Sequence, residues 1–319
     1  MHEFQLIKKY FSKLSYKNKS SLNLNDDVFF NKSKNLVVSV DTYVEGIHFL
    51  DFKKPDLVIK KIIRSSISDI ICKGVKPKYY FISGSGNKRS FSSSNLKKIS
   101  RSLNQEQNKY DIHLCGGDTV YSSKLSFTII SIGFSQKIIF RNNAKLNDDI
   151  YVTGTLGDSF MGLKILKNKI NINHNLNRYF EKKYYLPNLH LKLTNKLLSF
   201  ANTSIDISDG LISDLEKLLN KQDLSYKLNL SMIPISQNLK KFLTKKKLNK
   251  ISYISQGDDY QILFTANSSK SRIINKTAKS LGIKISKIGK ISSKLQKSEI
   301  IDQKGNKIAI KTKGYYHKF

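Results

Sequence analysis

Apolar positions along the chain follow two different spacings, and the spacing separates strands from helices. Residues 36–40 form a short run of mostly β-branched side chains that ends at Asp41. After Pro55, isoleucine and valine recur every three to four positions as far as Ile71, and a glycine and a proline follow. This spacing predicts one helix with an apolar face, which ends just after Asp69.

The same alternation of strands and helices continues through the chain. The predicted strands are 112–115, 127–134, 150–152, 204–206, 261–264 and 283–288, and the predicted helices are 94–103, a segment starting at Ser159, and 211–219. Residues 142–149 are polar and charged and lie between two strand-like runs. With 319 residues available, the pattern predicts two domains, 1–141 and 142–319, each large enough for its own core.

Six polar elbows that carry aspartate interrupt the apolar runs. They are Asn25-Asp26-Asp27, Val40-Asp41-Thr42, Ser68-Asp69, Gly117-Asp118-Thr119, Asp206-Ile207-Ser208-Asp209-Gly210 and Gly257-Asp258-Asp259. Acidic residues are scarce, 24 against 56 basic ones, so their repeated placement at element ends favours hard oxygen ligands for Mg²⁺ over surface charge. Divalent metal in this setting indicates nucleotide phosphate.

Each elbow also has an ordinary explanation. Asp206 and Asp209 are three residues apart where a helix begins, so both carboxylates can share one side, but Ser208 would serve as a simple N-cap. The glycines before Asp118 would let a phosphate approach the backbone, although for this motif alone a plain turn is the better explanation. A single histidine such as His48 is more often structural than catalytic. The recurrence of the elbows, rather than any one of them, favours the metal interpretation.

Charge and cysteine content exclude several classes of protein. The formal charge of +32 suggests nucleic-acid binding, but the cations are 50 lysines against 6 arginines and are spread along the chain. Recognition surfaces favour arginine, so we interpret most lysines as solvated surface residues. Cys72 and Cys115 are too few for a disulfide framework or a zinc module. The N-terminus lacks a signal sequence and no apolar run is long enough to span a membrane, which predicts a cytoplasmic protein.

Taken in order, the motifs resemble those of the thiamine-monophosphate kinases, in the superfamily of aminoimidazole ribonucleotide synthetase and selenophosphate synthetase. The resemblance covers nearly the whole chain. The matching segments are residues 3–7, Asp41-Thr42 through His48-Phe49, Ser68-Asp69, Gly116-Gly117-Asp118-Thr119, residues 151–159, residues 206–211 and Gly314-Tyr315-Tyr316-His317-Lys318-Phe319.

The resemblance implies an α/β (α+β) fold of two domains, each a mixed sheet packed with helices. Domain 1–141 would bind ATP and Mg²⁺ and form a homodimer, and domain 142–319 would complete an active site in the cleft formed by the two domains. The implied activity is ATP-dependent phosphorylation of thiamine monophosphate to thiamine diphosphate, by direct in-line transfer assisted by Mg²⁺. K⁺ is a further cation to test, and neither a membrane nor a nucleic acid is an expected partner.

The resemblance also assigns roles to individual residues. Several Mg²⁺ ions would be held by Asp27, Ser39, Asp41, Asp69, Asp118, Asp206 and Asp209. ATP would contact Gly117, Asp118, Arg141 and Ser208, and the thiamine phosphate site would be lined by His48, Asp258 and Tyr315. Asp41, Asp118 and Arg141 are the catalytic candidates.

Three positions depart from the family pattern. Asn25 stands where a glycine is usual, Val40 where a threonine is usual, and Asp258 where a glutamate is usual. Two other functions stay open at this point: another enzyme of the superfamily with a different acceptor, and a lysine-rich nucleic-acid binder. A selenophosphate synthetase would need a reactive cysteine near the N-terminus, but the first is Cys72. A hydrogenase-maturation homologue would need one at the C-terminus.

Overall fold

A computed structural model of the protein describes residues 3–310 and 312–317. Lys318 and Phe319, the last two residues of the C-terminal motif, lie outside the described residues. The α-helices are α1 (Glu3–Leu6), α2 (Pro55–Cys72), α3 (Ser93–Tyr110), α4 (Asp158–Leu166), α5 (His174–Tyr185), α6 (Thr194–Leu197), α7 (Leu211–Leu219), α8 (Gln237–Lys246), α9 (Ile251–Ile254) and α10 (Ser271–Leu281). The strands are β1 (Phe29–Asn31), β2 (Leu36–Val44), β3 (Pro77–Gly86), β4 (His113–Tyr121), β5 (Ser126–Phe134), β6 (Asp149–Thr153), β7 (Thr203–Asp206), β8 (Leu224–Asn229), β9 (Ile262–Ala266), β10 (Ile285–Ser293) and β11 (Glu299–Ile301).

The strands form two mixed sheets. The first has the order β1-β2-β5-β3-β4, in which only the β3–β4 pairing is parallel. The second has the order β11-β8-β10-β6-β9-β7, in which only the β11–β8 pairing is parallel. Helices pack on both sheets, so the α/β fold with two mixed sheets that the resemblance implied is confirmed.

Helix α2 is the element that joins the two halves. It packs against β2 and β5 of the first sheet and also contacts β7 and α5 of the second half. Val58 and all its isoleucines except Ile70 are buried in one core cluster that includes Tyr151 and Phe264 of the second sheet. The C-terminal end of α2 therefore meets the C-terminal end of β7. The boundary between residues 141 and 142 stays a prediction.

The hydrophobic pattern predicted most helices and strands near their observed positions, but the prediction for one motif was wrong. Helix α2 and helix α7 begin and end close to the predicted positions, whereas α3 extends to Tyr110, beyond the predicted 94–103. Gly116-Gly117-Asp118 was expected to follow a strand that ended at Cys115. It lies inside β4, because the strand continues past a bulge at Cys115 and stays paired with β3 as far as Tyr121. The expected turn is absent there.

Within residues 3–310 and 312–317, no helix combines the length and the apolar composition needed to cross a membrane.

Candidate active site

A cleft of about 890 Å³ lies between the two halves, where β2 and α2 face the end of β7. Most residues that the sequence singled out line it. They are Asp27, Ser39, Asp41, His48, Asp69, Arg141, Asp206, Ser208, Asp209, Asp258 and Tyr315. The fold thus brings together side chains that are up to 288 positions apart in the sequence, Asp27 and Tyr315 being the outermost pair.

Three carboxylates from three different elements form the acidic centre of the cleft. Asp41 points inward from β2, on the same face as the buried Ser39 and Tyr43, because alternate residues of a strand share a face. Asp69 comes from the last turns of α2 and accepts a hydrogen bond from Ser39 Oγ at 2.6 Å. Asp206 ends β7 and accepts a hydrogen bond from Ser68 Oγ. Each carboxylate is therefore held by a hydroxyl group.

The three carboxylates disfavour each other's charge. Burial raises the pKa of Asp41 to about 6 and the pKa of Asp206 to about 7. Burial, followed by the charges of Asp41 and Asp206, raises the pKa of Asp69 well above its usual value. A cation among them would relieve this cost, and hard carboxylate and hydroxyl oxygens are suited to Mg²⁺. The oxygen donors therefore have the chemistry that Mg²⁺ prefers, although among the described residues no group of three or more His, Cys, Asp or Glu side chains is arranged to hold a metal ion.

Asp26 and Asp27 form ion pairs with two cationic side chains. Arg141 lines the cleft and Lys73 lies beneath it. The Lys73 ammonium lies 2.7 Å from Asp26 Oδ1 and 2.7 Å from Asp27 Oδ2. Arg141 Nε donates to Asp27 Oδ2 at 3.0 Å, and the other arm of its guanidinium pairs with Asp27 Oδ1. The backbone N–H of Arg141 donates to Asp26 Oδ2 at 2.9 Å. Arg141, for which the resemblance implied a contact with ATP, is thus oriented by Asp27.

Asp209 is paired with a lysine from the following helix. Lys217 of α7 forms ion pairs with Asp209 and with Asp214, the latter at 2.7 Å. Asp214 is fully buried and accepts the backbone N–H groups of Asp209 and Gly210 at 2.9 and 3.0 Å. Asp214 therefore fixes the start of α7, and Lys217 places a positive charge on the cleft wall beside Ser208.

Aromatic rings line the part of the cleft next to the acidic centre. The ring of His48 lies 5.8 Å from that of Tyr43 and 5.4 Å from that of His317, and His317 lies 5.0 Å from Tyr315. The backbone N–H of Val44 donates to His48 Nδ1 at 2.9 Å. Burial, with His317 and Lys61 nearby, lowers the pKa of His48 to about 4. His48 is therefore neutral at physiological pH, and the wall is suited to a flat organic ring.

Asp258 is oriented by two groups beneath it. Lys61, which is 1% exposed, pairs with Asp258 Oδ1 at 2.8 Å, and the Tyr260 hydroxyl donates to the same oxygen at 3.1 Å. The Lys61 ammonium also lies 3.9 Å from the centre of the Tyr184 ring. These contacts leave Asp258 Oδ2 available to a ligand in the cleft.

Backbone hydrogen bonds join the loop at residues 206–210 to the loop at residues 257–260 and to Tyr315. Asp258 N donates to Ser208 O at 2.8 Å, Tyr260 N to Ile207 O at 2.8 Å, and Tyr315 N to Asp209 O at 3.0 Å. The loop at residues 257–260 has positive φ at Gly257, Asp258 and Tyr260. Such conformations are costly and persist where the surroundings impose them. The loops that carry Ser208, Asp209, Asp258 and Tyr315 are therefore interlocked, and their side chains are positioned together in the cleft.

Gly117 and Asp118 do not line the cleft of their own chain. In the register of the sheet, Gly117 of β4 lies in the same row across the strands as Asp41 of β2. Asp118 lies one row further along, in the same row as Ser83 of β3 and Thr42 of β2. Three strand spacings separate β2 from β4, about 14 Å in total. Because adjacent residues of a strand point to opposite faces, Asp118 lies on the other face of the sheet from Asp41.

Comparison with known proteins identifies the family. The chain is 36% identical to the thiamine-monophosphate kinase of Buchnera aphidicola from Acyrthosiphon pisum, over 99% of this chain and 98% of the relative. The chain belongs to the thiamine-monophosphate kinase family. The thiamine-monophosphate kinase of Haemophilus influenzae is 31% identical over 92% of this chain and 90% of its own length. The family model for the N-terminal domain of AIR synthase related proteins matches residues 25–135.

Solved structures agree with this assignment. A structure of AaThiL complexed with AMPPCP and TMP matches 99% of this chain and 97% of its own chain, with a TM-score of 0.84 and 25% identity. The family resemblance inferred from the motifs is therefore confirmed. Asn25 stands where the family usually has a glycine. Its φ is negative in the structure, so this position does not need the left-handed backbone conformation that glycine and asparagine tolerate.

Sequence reasoning missed the cations and tyrosines behind these carboxylates. They are Lys61, Lys73, Lys217, Tyr43 and Tyr260. In a chain with 50 lysines, three buried or half-buried ones carry no distinguishing pattern. Only the position of Lys73 in the sequence could have distinguished it. Lys73 comes directly after the last apolar residues of α2, where a lysine exposed to solvent is not expected.

Protonation of the acidic centre should make stabilisation by Mg²⁺ depend on pH. Asp41 and Asp206 have raised pKa values of about 6 and about 7 against an ordinary 3.8, so the metal-free folded state binds extra protons in this window. The protonated forms of Asp41 and Asp206 stabilise the metal-free protein at low pH. Their contribution to the free energy of unfolding is lost as the pH rises through the two raised pKa values. We expect Mg²⁺ to raise Tm only slightly at pH 5 and much more at pH 8. Thermal unfolding with and without Mg²⁺ checks this, and an equal rise at both pH values would contradict it.

Proposed function

We propose that this protein transfers the γ-phosphoryl group of ATP to the phosphate of thiamine monophosphate, giving thiamine diphosphate and ADP. The observation that carries the proposal is the cleft itself. It joins an acidic centre at Asp41, Asp69 and Asp206 to an aromatic wall at His48 and Tyr315. AMPPCP is an ATP analogue and TMP a thiamine phosphate, so the ligands of the matching AaThiL structure have the two chemistries that this cleft would accommodate.

The reaction needs charge neutralisation more than it needs a base. The acceptor is a phosphate monoester with a second pKa near 6, about one unit below neutral pH, so it is already largely ionised. The barrier is the repulsion between two polyanions and the cost of aligning them in line. The carboxylates of the cleft are therefore proposed as holders of cations and not as proton acceptors.

Mg²⁺ would be held by Asp41, Asp69, Asp206 and Asp209, and when bound it neutralises the phosphate oxygens between which the phosphoryl group moves. Ser39 would orient Asp69, whose oxygen it already contacts. The metal role predicted for Asp27 is not part of this proposal, because Lys73 and Arg141 engage both of its oxygens. K⁺ stays an additional cation to test.

The remaining residues would bind and align the two substrates. Arg141, oriented by Asp27, would present its guanidinium to the ATP phosphates, and Ser208 would contact them from the start of α7. Asp258 would pair with the cationic thiazolium ring of thiamine, and Tyr315 and neutral His48 would stack on the thiamine rings. A neutral histidine suits this position because it does not repel the thiazolium charge.

We also propose a homodimer formed by the outer face of the first sheet. This face carries exposed apolar side chains on several strands, including Val40 (60%), Phe134 (52%), Val120 (51%) and Tyr79 (38%). A contiguous apolar sheet face of this kind is typical of an interaction surface. Asp118 lies on the same face, so packing against a second copy would bring Asp118 and Gly117 towards the partner's β2 and its cleft.

Mixing two inactive variants tests this arrangement. If each site combines Asp41 of one chain with Asp118 of the other, a heterodimer of Asp41→Asn and Asp118→Asn chains contains one intact site. We expect co-refolded or co-expressed variants to recover about a quarter of wild-type activity. No recovery in verified heterodimers would place Asp118 outside the shared site, and a monomer in solution would contradict the dimer.

The activity is tested by product formation. Purified protein with ATP, thiamine monophosphate and Mg²⁺ should produce thiamine diphosphate, separated by chromatography, and chelation of the metal should stop the reaction. Absence of product over a wide range of Mg²⁺ and K⁺ concentrations would refute the proposal. Turnover with another phosphate acceptor, but not with thiamine monophosphate, would support the second interpretation of the sequence, a different enzyme of the superfamily.

In this proposal residues 1–141 bind nucleotide and magnesium and form the dimer, and residues 142–319 complete the active site. The cytoplasmic location stays a prediction from the sequence. The lysine excess has no assigned role, and no feature of the cleft favours nucleic acid as a partner over the proposed substrates.

A further inference from the structure

Lys73 is a buried lysine at the junction of the two halves. Its side chain is 0% exposed, and the residue follows the last turn of α2. Its ammonium contacts Asp26 and Asp27 at 2.7 Å each and donates to Ser204 O of β7 at 3.0 Å. All three N–H groups of the ammonium are thus directed at oxygen atoms. Fully buried lysines are rare in proteins and are found with charged partners, as here.

The elbow at Asp26 and Asp27 is already neutralised within the chain. Asp26 receives Lys73 on one oxygen and the Arg141 N–H on the other. Asp27 receives Lys73 and Arg141 on one oxygen and Arg141 on the other. These two carboxylates therefore have two cationic side chains at contact distance.

The neighbouring carboxylates of the cleft have different partners. Tyr43 donates to Asp41, Ser39 to Asp69, and Ser68 to Asp206. Hydroxyl groups hold these carboxylates in place but bring no positive charge. The cleft thus has two kinds of carboxylate position: the Asp26–Asp27 elbow, which is matched by fixed cations, and the trio of Asp41, Asp69 and Asp206, whose charges still repel each other. Asp209 pairs with Lys217 through one oxygen and belongs to neither group.

We propose that the Lys73 ammonium is a resident cation beneath the cleft, and that this ammonium holds the Asp26–Asp27 elbow against α2 and β7 in place of a divalent ion. Exchangeable Mg²⁺ is then left to the other carboxylates proposed to hold it, Asp41, Asp69, Asp206 and Asp209. This inference rests on the proposed Mg²⁺-dependent function, and it makes Lys73 a positioning residue and Asp27 a support for Arg141.

Divalent-ion binding without nucleotide tests the inference directly. We expect Asp27→Asn to keep Mg²⁺ affinity, measured by titration calorimetry, within about twofold of wild type, and Asp69→Asn to weaken it about a hundredfold. Equal losses in the two variants would overturn the proposal, because Asp27 would then be a metal ligand. Both variants replace one carboxylate by its isosteric amide, so each is the control for the other.

Removing the lysine gives a second, independent readout. Lys73→Met should leave the elbow uncompensated, lower Tm in chelator, and bind Mg²⁺ about tenfold more tightly than wild type, since a like charge has been removed. Arg64→Met is the matched control, because Arg64 is a buried cation of α2 paired with Glu106 away from the cleft. It should lower Tm equally with and without Mg²⁺.

The outcomes separate this inference from the proposed function. If Lys73→Met lowers Tm equally in chelator and in Mg²⁺, the lysine is only structural and the proposal fails. If the variant does not fold, the comparison of Asp27→Asn with Asp69→Asn decides alone. A protein that shows the expected Mg²⁺ titrations but forms no thiamine diphosphate refutes the kinase and leaves the role of Lys73 standing.

Discussion

Replacing Asp41 by asparagine is expected to lower kcat/KM for thiamine diphosphate formation on the order of 10³-fold or more, and at the same time to raise the Tm of the metal-free protein. Activity falls because the amide is a poor ligand for the cation that the phosphates require. Stability rises because Asp41 is a buried carboxylate, and its charge also disfavours that of Asp69. Opposite changes in activity and stability are typical of groups that are kept for function at a cost in folding.

Steady-state kinetics and thermal unfolding in chelator measure the two effects. Asp223→Asn is the matched control, because Asp223 is 80% exposed and pairs with the exposed Lys294. Such a surface pair contributes about 1 kcal/mol or less, so neither activity nor Tm should change appreciably. Near-normal turnover of Asp41→Asn would remove the metal assignment, and a lower Tm in chelator would contradict the repulsion between the carboxylates.

Replacing Gly257 by alanine is the second large expected effect. A Cβ there would lie 2.1 Å from Ser208 O and 2.7 Å from the Asp209 carbonyl carbon, and the residue has φ of +79°. The overlap is with backbone, so the loop that carries Asp258 must move away from the loop that carries Ser208 and Asp209. A displacement of about 1 Å is enough to cost about 10²-fold in turnover, and the positive φ adds about 1–3 kcal/mol of strain.

Gly305→Ala separates the two causes. Gly305 has φ of +86°, but nothing lies within 4 Å of the added Cβ. We expect this variant to lose some Tm from backbone strain and to keep its kcat/KM. If Gly257→Ala were as active as Gly305→Ala, the interlocked loops would not position the site as described.

Much of the site could be predicted from the sequence because its residues stand where regular elements end. The helical spacing from Pro55 to Ile71 places Asp69 in the last turns of α2, and the β-type run at 36–40 leads directly to Asp41. Short-range patterns of this kind determine on which element a residue lies. They do not determine which elements meet, and the shared cleft became predictable only through the order of motifs that the family has in common.

The position of Asp118 could not be read from local pattern. Paired glycines usually favour a turn, but here β4 continues through them because β3 supplies hydrogen-bond partners along its whole length. The pairing is a long-range property, and it moves Asp118 to the outer face of the sheet. The role of Lys73 could not be predicted for a related reason. Only the packing of α2 against β7 and against the Asp26–Asp27 elbow distinguishes this buried lysine from the many lysines on the surface.

If one cleft aligns the two phosphates for direct transfer, the γ-phosphoryl group of ATP must pass to thiamine monophosphate without release to water. The protein should be incubated with Mg²⁺, thiamine monophosphate and ATP labelled with ¹⁸O in the γ-phosphoryl group, and the products followed by ³¹P NMR. We expect the label to appear in the β-phosphate of thiamine diphosphate, in step with ADP formation. Label found only in inorganic phosphate, or no turnover at all, would contradict it.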